Sequence, residues 1–266
     1  GLCCSEGMER SMKIMTDVKE KMMKHQRIAC AFLRIPDPSI AEVMAGEGVD
    51  LLVIDQEHYV FNEETMLHII RAAGCYGCPC LIRVSQIDRE KIGRLMDGGA
   101  GGILLADTVD SSQVRELVKA VKYPPVGERG VSTESRNNHY GLSGTGVSEF
   151  PRAQNRSTII GAIIETATAI ADLDEILKIP ELDFLSVGTM DLTYACGVPG
   201  DIHNIDVQRL KMNIYQKIIG AGKTALDKTF TEEEIERGKE NGIGCFYVAS
   251  DMELIKKGLE QRIKYL

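Results

Sequence analysis

Four acids, one histidine and one arginine occupy positions from which a carbonyl substrate could be polarised and a proton moved. Asp55-Gln56-Glu57-His58 directly follows the apolar run Leu51-Leu52-Val53-Ile54. The spacing of Asp55 and His58 permits a turn-stabilised hydrogen bond that would fix the imidazole tautomer and raise its basicity, as a general base requires. His25 lies in a charged N-terminal region, His68 in a helical stretch, and His139 and His203 in polar segments, so only His58 shares a strand end with two acids; the competing reading is a structural histidine. Arg83 ends the apolar stretch Cys80–Val84. Its guanidinium could hold a carboxylate or enolate oxygen, or be spent in a buried ion pair with Asp55 or Glu57. Glu165 follows Ile159–Ile164, and strand alternation puts Ile163 and Glu165 on one face. A carboxylate there is costly unless paired, protonated or metal-bound. Asp191 closes the next strand in Gly188-Thr189-Met190-Asp191. Two carboxylates that leave positions open for water and a bidentate ligand suit octahedral Mg²⁺ or Mn²⁺, although strand-end acids also serve as helix caps and ion-pair members.

The elements that must position these groups alternate in type. Short apolar runs suited to strands buried on both faces fall at Ile28–Leu33, Leu51–Asp55, Cys80–Val84, 102–106, 158–164, Phe184–Val187, 224–226 and 245–249. Helical patterns fall between and after them at 38–48 (Ser39 as cap, Gly48 as stop), Glu63–Cys75, 89–96, 112–121, 167–177, 207–219, 232–241 and 252–263. About eight strand–helix repeats imply right-handed βαβ units and a (β/α)₈ TIM barrel. A doubly wound open sheet would want a glycine-rich phosphate turn after the first strand, and Arg34-Ile35-Pro36-Asp37 is not one. Residues 123–157 break the rhythm, being rich in Gly, Ser, Asn, Pro and Arg, and read as a long loop. In a barrel the residues just past the strand ends face the active-site mouth, which gathers the acids, His58 and Arg83 into one place. The expected organisation is an N-terminal extension with a leading helix (1–27, helix 12–24) and one barrel domain (28–266); Gly1 to Gly7 join no periodic pattern.

A chain of 266 residues with 44% hydrophobic content can bury one large core. A net charge of −8 and a pI near 5.3 oppose binding to a phosphate backbone, so no nucleic-acid partner is expected. No apolar run approaches the roughly 20 residues needed to span a bilayer, and no signal-peptide core is evident, so a soluble cytoplasmic protein with reduced cysteines is expected. The cluster Cys75-Tyr76-Gly77-Cys78-Pro79-Cys80 looks like half a zinc site, but no second Cys or His pair follows at a matching distance and it precedes a strand, where core or loop thiols are the better reading.

Several of these segments in register resemble a known family: Asp-Leu-Leu-Val-Ile-Asp-Gln-Glu-His (50–58), Ile-Arg-Val (82–84), Tyr-Pro-Pro-Val-Gly-Glu-Arg-Gly (123–130), Ile-Glu-Thr (164–166) and Gly-Thr-Met-Asp-Leu (188–192). Their order is similar to that of the HpcH/HpaI aldolases, class II pyruvate aldolases acting on 4-hydroxy-2-oxo acids. The resemblance runs from about Ile28 to the C-terminus. It implies a carbon–carbon lyase that cleaves or forms a 4-hydroxy-2-oxo acid, giving pyruvate and an aldehyde through a metal-bound enolate. It implies a divalent ion, Mg²⁺ or Mn²⁺ with Co²⁺ as a further candidate, held by Glu165 and Asp191. Arg83 would stabilise the enolate, His58 oriented by Asp55 would move the proton of the 4-hydroxyl, and Glu57 would order water. Gly188, Met190 and Asp191 would receive the substrate carboxylate. A homo-oligomer, suspected to be a hexamer, is also implied, and the C-terminal stripe Leu254, Ile255, Leu259, Ile263 and Leu266 could pack on the barrel or on a partner copy.

Two positions depart from the family pattern. Ile163 stands where a glutamine is usual, and Thr189 where a proline stiffens the carboxylate-binding turn. Ile163 keeps alive a second reaction, decarboxylation or condensation of oxaloacetate through the same enolate. A non-catalytic barrel that binds a 2-oxo acid is the remaining alternative, and it would have no need for Glu165, Asp191, Arg83 and His58 together.

Overall fold

The computed structural model describes residues 18–142, 144, 146, 148–229 and 231–266. Eight strands run in chain order around a ring: β1 (Ile28–Leu33), β2 (Leu51–Asp55), β3 (Cys80–Val84), β4 (Gly102–Leu105), β5 (Ile159–Ile164), β6 (Phe184–Val187), β7 (Thr224–Lys228) and β8 (Cys245–Ser250). Each pairs in parallel with the next, and β1 with β8, so the sheet closes into a barrel. The expected (β/α)₈ architecture is the one observed. Helices fill the crossovers: α1 (18–23), α2 (Pro38–Gly46), α3 (Glu63–Cys75), α4 (Arg89–Asp97), α5 (Ser111–Val121), α6 (Glu149–Ser157), α7 (Ala167–Ala171), α8 (Leu173–Leu177), α9 (Thr189–Ala195), α10 (Ile205–Gly220), α11 (Glu232–Glu240) and α12 (Asp251–Ile263). The N-terminal segment of the leading helix expected at 12–24 lies partly outside the described residues, as do Gly1 to Gly7.

Local chemistry explains most boundaries. Asn62, Asp88 and Asp110 accept hydrogen bonds from first-turn N–H groups of α3, α4 and α5, and Thr231 closes a capping box with Glu234 on α11. α2 is capped by Asp37, which accepts from the Ser39 N–H, and not by Ser39 itself: Pro38 takes the first helical position, where its missing N–H costs nothing. The expected helix over 167–177 is two short helices interrupted at Asp172, whose carboxylate accepts the Ser111 N–H at 2.7 Å. The segment 123–157 is not loop throughout. A 3₁₀ turn spans Arg136–Gly141, and α6 buries Phe150 and Ala153 from a sequence too polar to announce a helix.

Alternation along the strands divides the apolar residues between two cores. One lies between strands and helices; the other fills the barrel and includes Cys30, Phe32, Val53, Leu81, Leu104, Ile163, Phe184, Leu226 and Tyr247, with Val18 and Met22 of α1 packed at the end where the strands begin. Each such aliphatic side chain contributes roughly 1.5–3 kcal/mol by leaving water. Counting two residues on from the interior-facing Phe32, Val53, Leu81, Ile163 and Leu226 gives Arg34, Asp55, Arg83, Glu165 and Lys228, so the rim of the mouth is lined by charge. Gly161 sits in the filled layer opposite Phe184, and a Cβ there would lie 2.2 Å from the ring. Gly161→Ala should therefore overpack the barrel and cost about 1–3 kcal/mol, read as a lower urea midpoint with an unchanged slope; an unchanged midpoint would show that the Phe184 ring can move aside.

The α12 stripe is not covered by its own barrel: Leu254, Ile255, Leu259, Ile263 and Leu266 are all exposed. Among the described residues no helix is long and apolar enough to cross a membrane. Cys78 and Cys80 are buried and Cys75 exposed. No group of three or more His, Cys, Asp or Glu side chains is arranged to hold a metal among the described residues.

Candidate active site

The strand ends bring Asp55, Glu57, His58, Arg83 and Glu165 to one mouth, with Asp191 on the first turn of α9. Asp55 and Arg83 are register partners on β2 and β3. The Arg83 guanidinium donates to Asp55 through Nε (2.9 Å to Oδ1) and Nη2 (2.6 Å to Oδ2), and its Nη1 lies 3.0 Å from Glu57 Oε2. The ion pairs weighed for Arg83 are thus both present. Asp55 takes two of the five N–H groups of the fork, which leaves N–H on both terminal nitrogens of a group held rigid by its partners.

Asp55 is fully buried, and Arg34 at the end of β1 also donates to it, Nε to Oδ2 at 3.3 Å. Its link to His58 is through the backbone N–H, at 3.5 Å from Oδ1. The acid beside the imidazole is Glu57, 3.6 Å from Nε2, and the His58 side chain is 60% exposed. The spacing of Asp55 and His58 therefore shapes the turn, while the ring itself faces Glu57. Burial raises the Glu57 carboxyl above its ordinary range, with Arg83 and His58 pulling the other way.

Glu165 is buried, and its carboxyl is pushed up to about 7, first by burial and then by the neighbouring charges of Asp191, Glu57 and Asp107; the Asp107 N–H, donating to Oε1 at 2.9 Å, opposes this. Asp107, just past β4, has a left-handed backbone (φ 48°), a conformation that Asp tolerates and that aims its N–H at the acid. The other oxygen, Oε2, is packed against Gly188, where a Cβ would fall 1.8 Å away, so the carboxylate can take this position only because residue 188 has no side chain. Neither Glu165 nor Asp191 has an ion-pair partner among the described residues. A buried acid whose neighbours are acids, without an ion-pair partner, offers hard oxygen donors of the kind that fit a divalent cation of the Mg²⁺ or Mn²⁺ type.

Ile163 is buried inside the barrel on the face of Glu165, as alternation requires. Thr189 opens α9 directly, with Gly188 before it, and Met190 is exposed. Arg34, Asp107 and Lys228 were not among the sequence candidates. Alternation from Phe32 and Leu226 is the signal that finds the first and last of them.

A family model described as HpcH/HpaI aldolase/citrate lyase matches residues 29–241. A 2-dehydro-3,6-dideoxy-6-sulfogluconate aldolase of Pseudomonas putida is 31% identical over 235 residues, 88% of this chain and 91% of that protein. Among solved structures, the HpcH/HpaI aldolase from Desulfitobacterium hafniense DCB-2 superposes with a TM-score of 0.86 at 25% identity, over 93% of this chain and 95% of that one. The citrate synthase SbnG gives 0.83 at 26% identity, over 93% and 96%. With a family model spanning most of the barrel and a relative alike over nearly its whole length, the chain belongs to the HpcH/HpaI aldolase/citrate lyase family and is an aldolase-type carbon–carbon lyase.

Proposed function

We propose that the chain cleaves, or in reverse forms, a 4-hydroxy-2-oxo acid to pyruvate and an aldehyde, with a divalent ion held by Glu165 and Asp191. The observation that carries the reading is Glu165: a buried carboxylate beside other acids, seated against Gly188 where only a glycine leaves it a place, is costly to the fold and useful to a cation. When bound, the ion supplies Lewis-acid polarisation of the 2-oxo group. Arg83, fixed by Asp55 and Glu57, directs its remaining N–H groups at the oxygen on which negative charge grows. His58, at the exposed edge beside Glu57, takes the proton of the 4-hydroxyl in cleavage and returns it in synthesis. Glu57 holds water near that proton, and Gly188, Met190 and Asp191 at the start of α9 take the substrate carboxylate. The uncovered α12 stripe supports a homo-oligomeric state.

A second reading, decarboxylation or condensation of oxaloacetate, is favoured by Ile163, which puts an apolar surface beside Glu165, and by the likeness to a citrate synthase. One assay separates the two. Pyruvate release is measured across a panel of 4-hydroxy-2-oxo acids and oxaloacetate, with Mg²⁺, Mn²⁺ or Co²⁺ and after chelation. The aldol reading expects pyruvate from at least one 4-hydroxy-2-oxo acid, falling about 10²-fold on chelation and restored by metal. Turnover of oxaloacetate alone would establish the second reading instead, and turnover indifferent to metal would sink the role given to Glu165 and Asp191.

A further inference from the structure

Fully buried Asp55 accepts four hydrogen bonds: Arg83 Nε and the His58 backbone N–H donate to Oδ1, and Arg83 Nη2 and Arg34 Nε donate to Oδ2. A carboxylate offers about four lone-pair sites, so these donors fill its capacity. Three of them come from β2, β3 and the turn after β2, whose register already sets Asp55 against Arg83. Arg34 is the donor that stands apart, because it reaches Asp55 from the end of β1. Its own place is fixed from other directions. The Arg34 backbone N–H donates to Asp251 Oδ2 at 2.8 Å and its Nη1 lies 3.3 Å from Ser250 Oγ, where β8 ends and α12 begins. The guanidinium carbon lies 5.4 Å from the ring centroid of Tyr59, the residue after His58.

The sharing of Oδ2 bears on Arg83. That guanidinium faces two acids, Asp55 at 2.6 Å and Glu57 at 3.0 Å. An arginine held bidentate by a buried carboxylate of its own has much of its field cancelled at any third group. Arg34 gives Asp55 a second cation, 3.3 Å from the oxygen that Arg83 Nη2 also holds. The carboxylate is then balanced from both sides, and more of the Arg83 charge acts on whatever its remaining N–H groups meet. Without Arg34, Oδ2 would keep a single donor in a buried site, and the cost of that would be met by drawing the Arg83 fork closer.

We infer that Arg34 is a positioning residue for Arg83: it holds the shared Asp55 carboxylate from the β1 side, which keeps the Arg83 fork aligned and its charge available to an oxygen that becomes negative in the mouth. The inference deepens the proposed function and rests on Arg83 facing the enolate oxygen. Arg34 acts through Asp55 and touches no reacting atom.

Calorimetric titration of the Mn²⁺-saturated protein with oxalate and with pyruvate tests it, with a melting curve for each variant. Oxalate is a planar dianion that imitates the enolate of pyruvate, whereas the keto oxygen of pyruvate itself is uncharged. The wild type should bind oxalate more tightly than pyruvate. Arg34→Met keeps most of the side chain's length without its charge; it should weaken oxalate about tenfold, the scale expected when one charge is taken from a partly buried site, and pyruvate by less than about threefold. Arg34→Lys should bring oxalate back to within about threefold of wild type, because Arg34 meets Asp55 through one nitrogen and not as a fork. Unchanged oxalate affinity in Arg34→Met would overturn the role. So would an equal loss of both acids that Lys does not rescue, which with a lowered melting point would mark Arg34 as a strap between β8 and β2. A wild type that binds neither acid would overturn the proposed function and this role together, whereas a preference for oxalate that passes unaltered to Arg34→Met would overturn the role alone.

Discussion

A Glu165→Gln enzyme should bind no divalent ion and lose metal-dependent turnover by about 10³-fold or more, yet its metal-free form should be more stable than the wild type above pH 7. The first half follows from removing one of two anionic donors while keeping shape, since the Gln carbonyl can still accept the Asp107 N–H that now bonds Glu165. The second half follows from the sign of the shift. The folded carboxyl titrates at about 7 against an ordinary 4.5, so the native state holds the proton more tightly than the unfolded chain. The stability that this contributes is fully present below pH 4.5 and is lost as pH rises through 7. Above that point the metal-free wild type carries a buried charge at a cost on the order of 3 kcal/mol, and Gln carries none. Titration with Mn²⁺ and melting curves at pH 5 and 8 report both halves. Retained Mn²⁺ affinity would remove Glu165 from the ion's donor set, and a lower melting point at pH 8 would mark it as a structural acid.

The second large effect separates His58 from Arg83 by the step each loses. His58→Ala should reduce aldol cleavage by about 10²- to 10⁴-fold, the usual contribution of a general acid–base. It should leave decarboxylation of oxaloacetate within a few-fold, because that reaction forms the enolate without removing a hydroxyl proton. The His58 ring is mostly exposed and its backbone bond to Asp55 survives the change, so the fold should be spared. Arg83→Ala should damage both reactions, since both pass through the charge it faces. It should also lower stability, by roughly 3–5 kcal/mol if Arg34 does not compensate, because fully buried Asp55 loses its bidentate partner. Rates on the two substrates with melting curves give the comparison. Cleavage by His58→Ala at near wild-type rate, or loss of both reactions with an intact fold, would end the general-base assignment.

The barrel was legible because its strands are short apolar runs flanked by amphipathic helices, a signal that depends only on local pattern. Where pattern and burial parted, the reading failed. α6 was hidden in polar sequence because only Phe150 and Ala153 with two polar residues are buried. β7 was read as ending at Leu226 because Asp227 and Lys228 look like loop, although both remain in the ladder with β8; that shortening concealed Lys228. Arg34 was weighed only as part of a turn lacking glycines, so its place on the interior face of β1 went unread. The partners of His58 were beyond sequence spacing as well. Asp55 stands at turn spacing from His58, but β2–β3 register commits both its oxygens to Arg83, and the ring turns to the adjacent Glu57.

The junction of the last strand with the first has a bearing on how this chain acquires activity as it folds. Asp251, directly after β8, accepts the backbone N–H groups of Arg34 and Ile35 at 2.8 and 2.7 Å across more than 200 residues of sequence. Contacts of such long range form late, because the entropy of closing the intervening chain must be met before they reward it. A growing chain on the ribosome can assemble β2 to β6 with Asp55, Arg83 and Glu165 already in register, but Arg34 lacks its bonds to Ser250 and Asp251 until β8 arrives. Partial chains would expose β1 as an unpaired edge, open to pairing with other chains. Ring closure thus ends the aggregation-prone interval and completes the mouth in the same event.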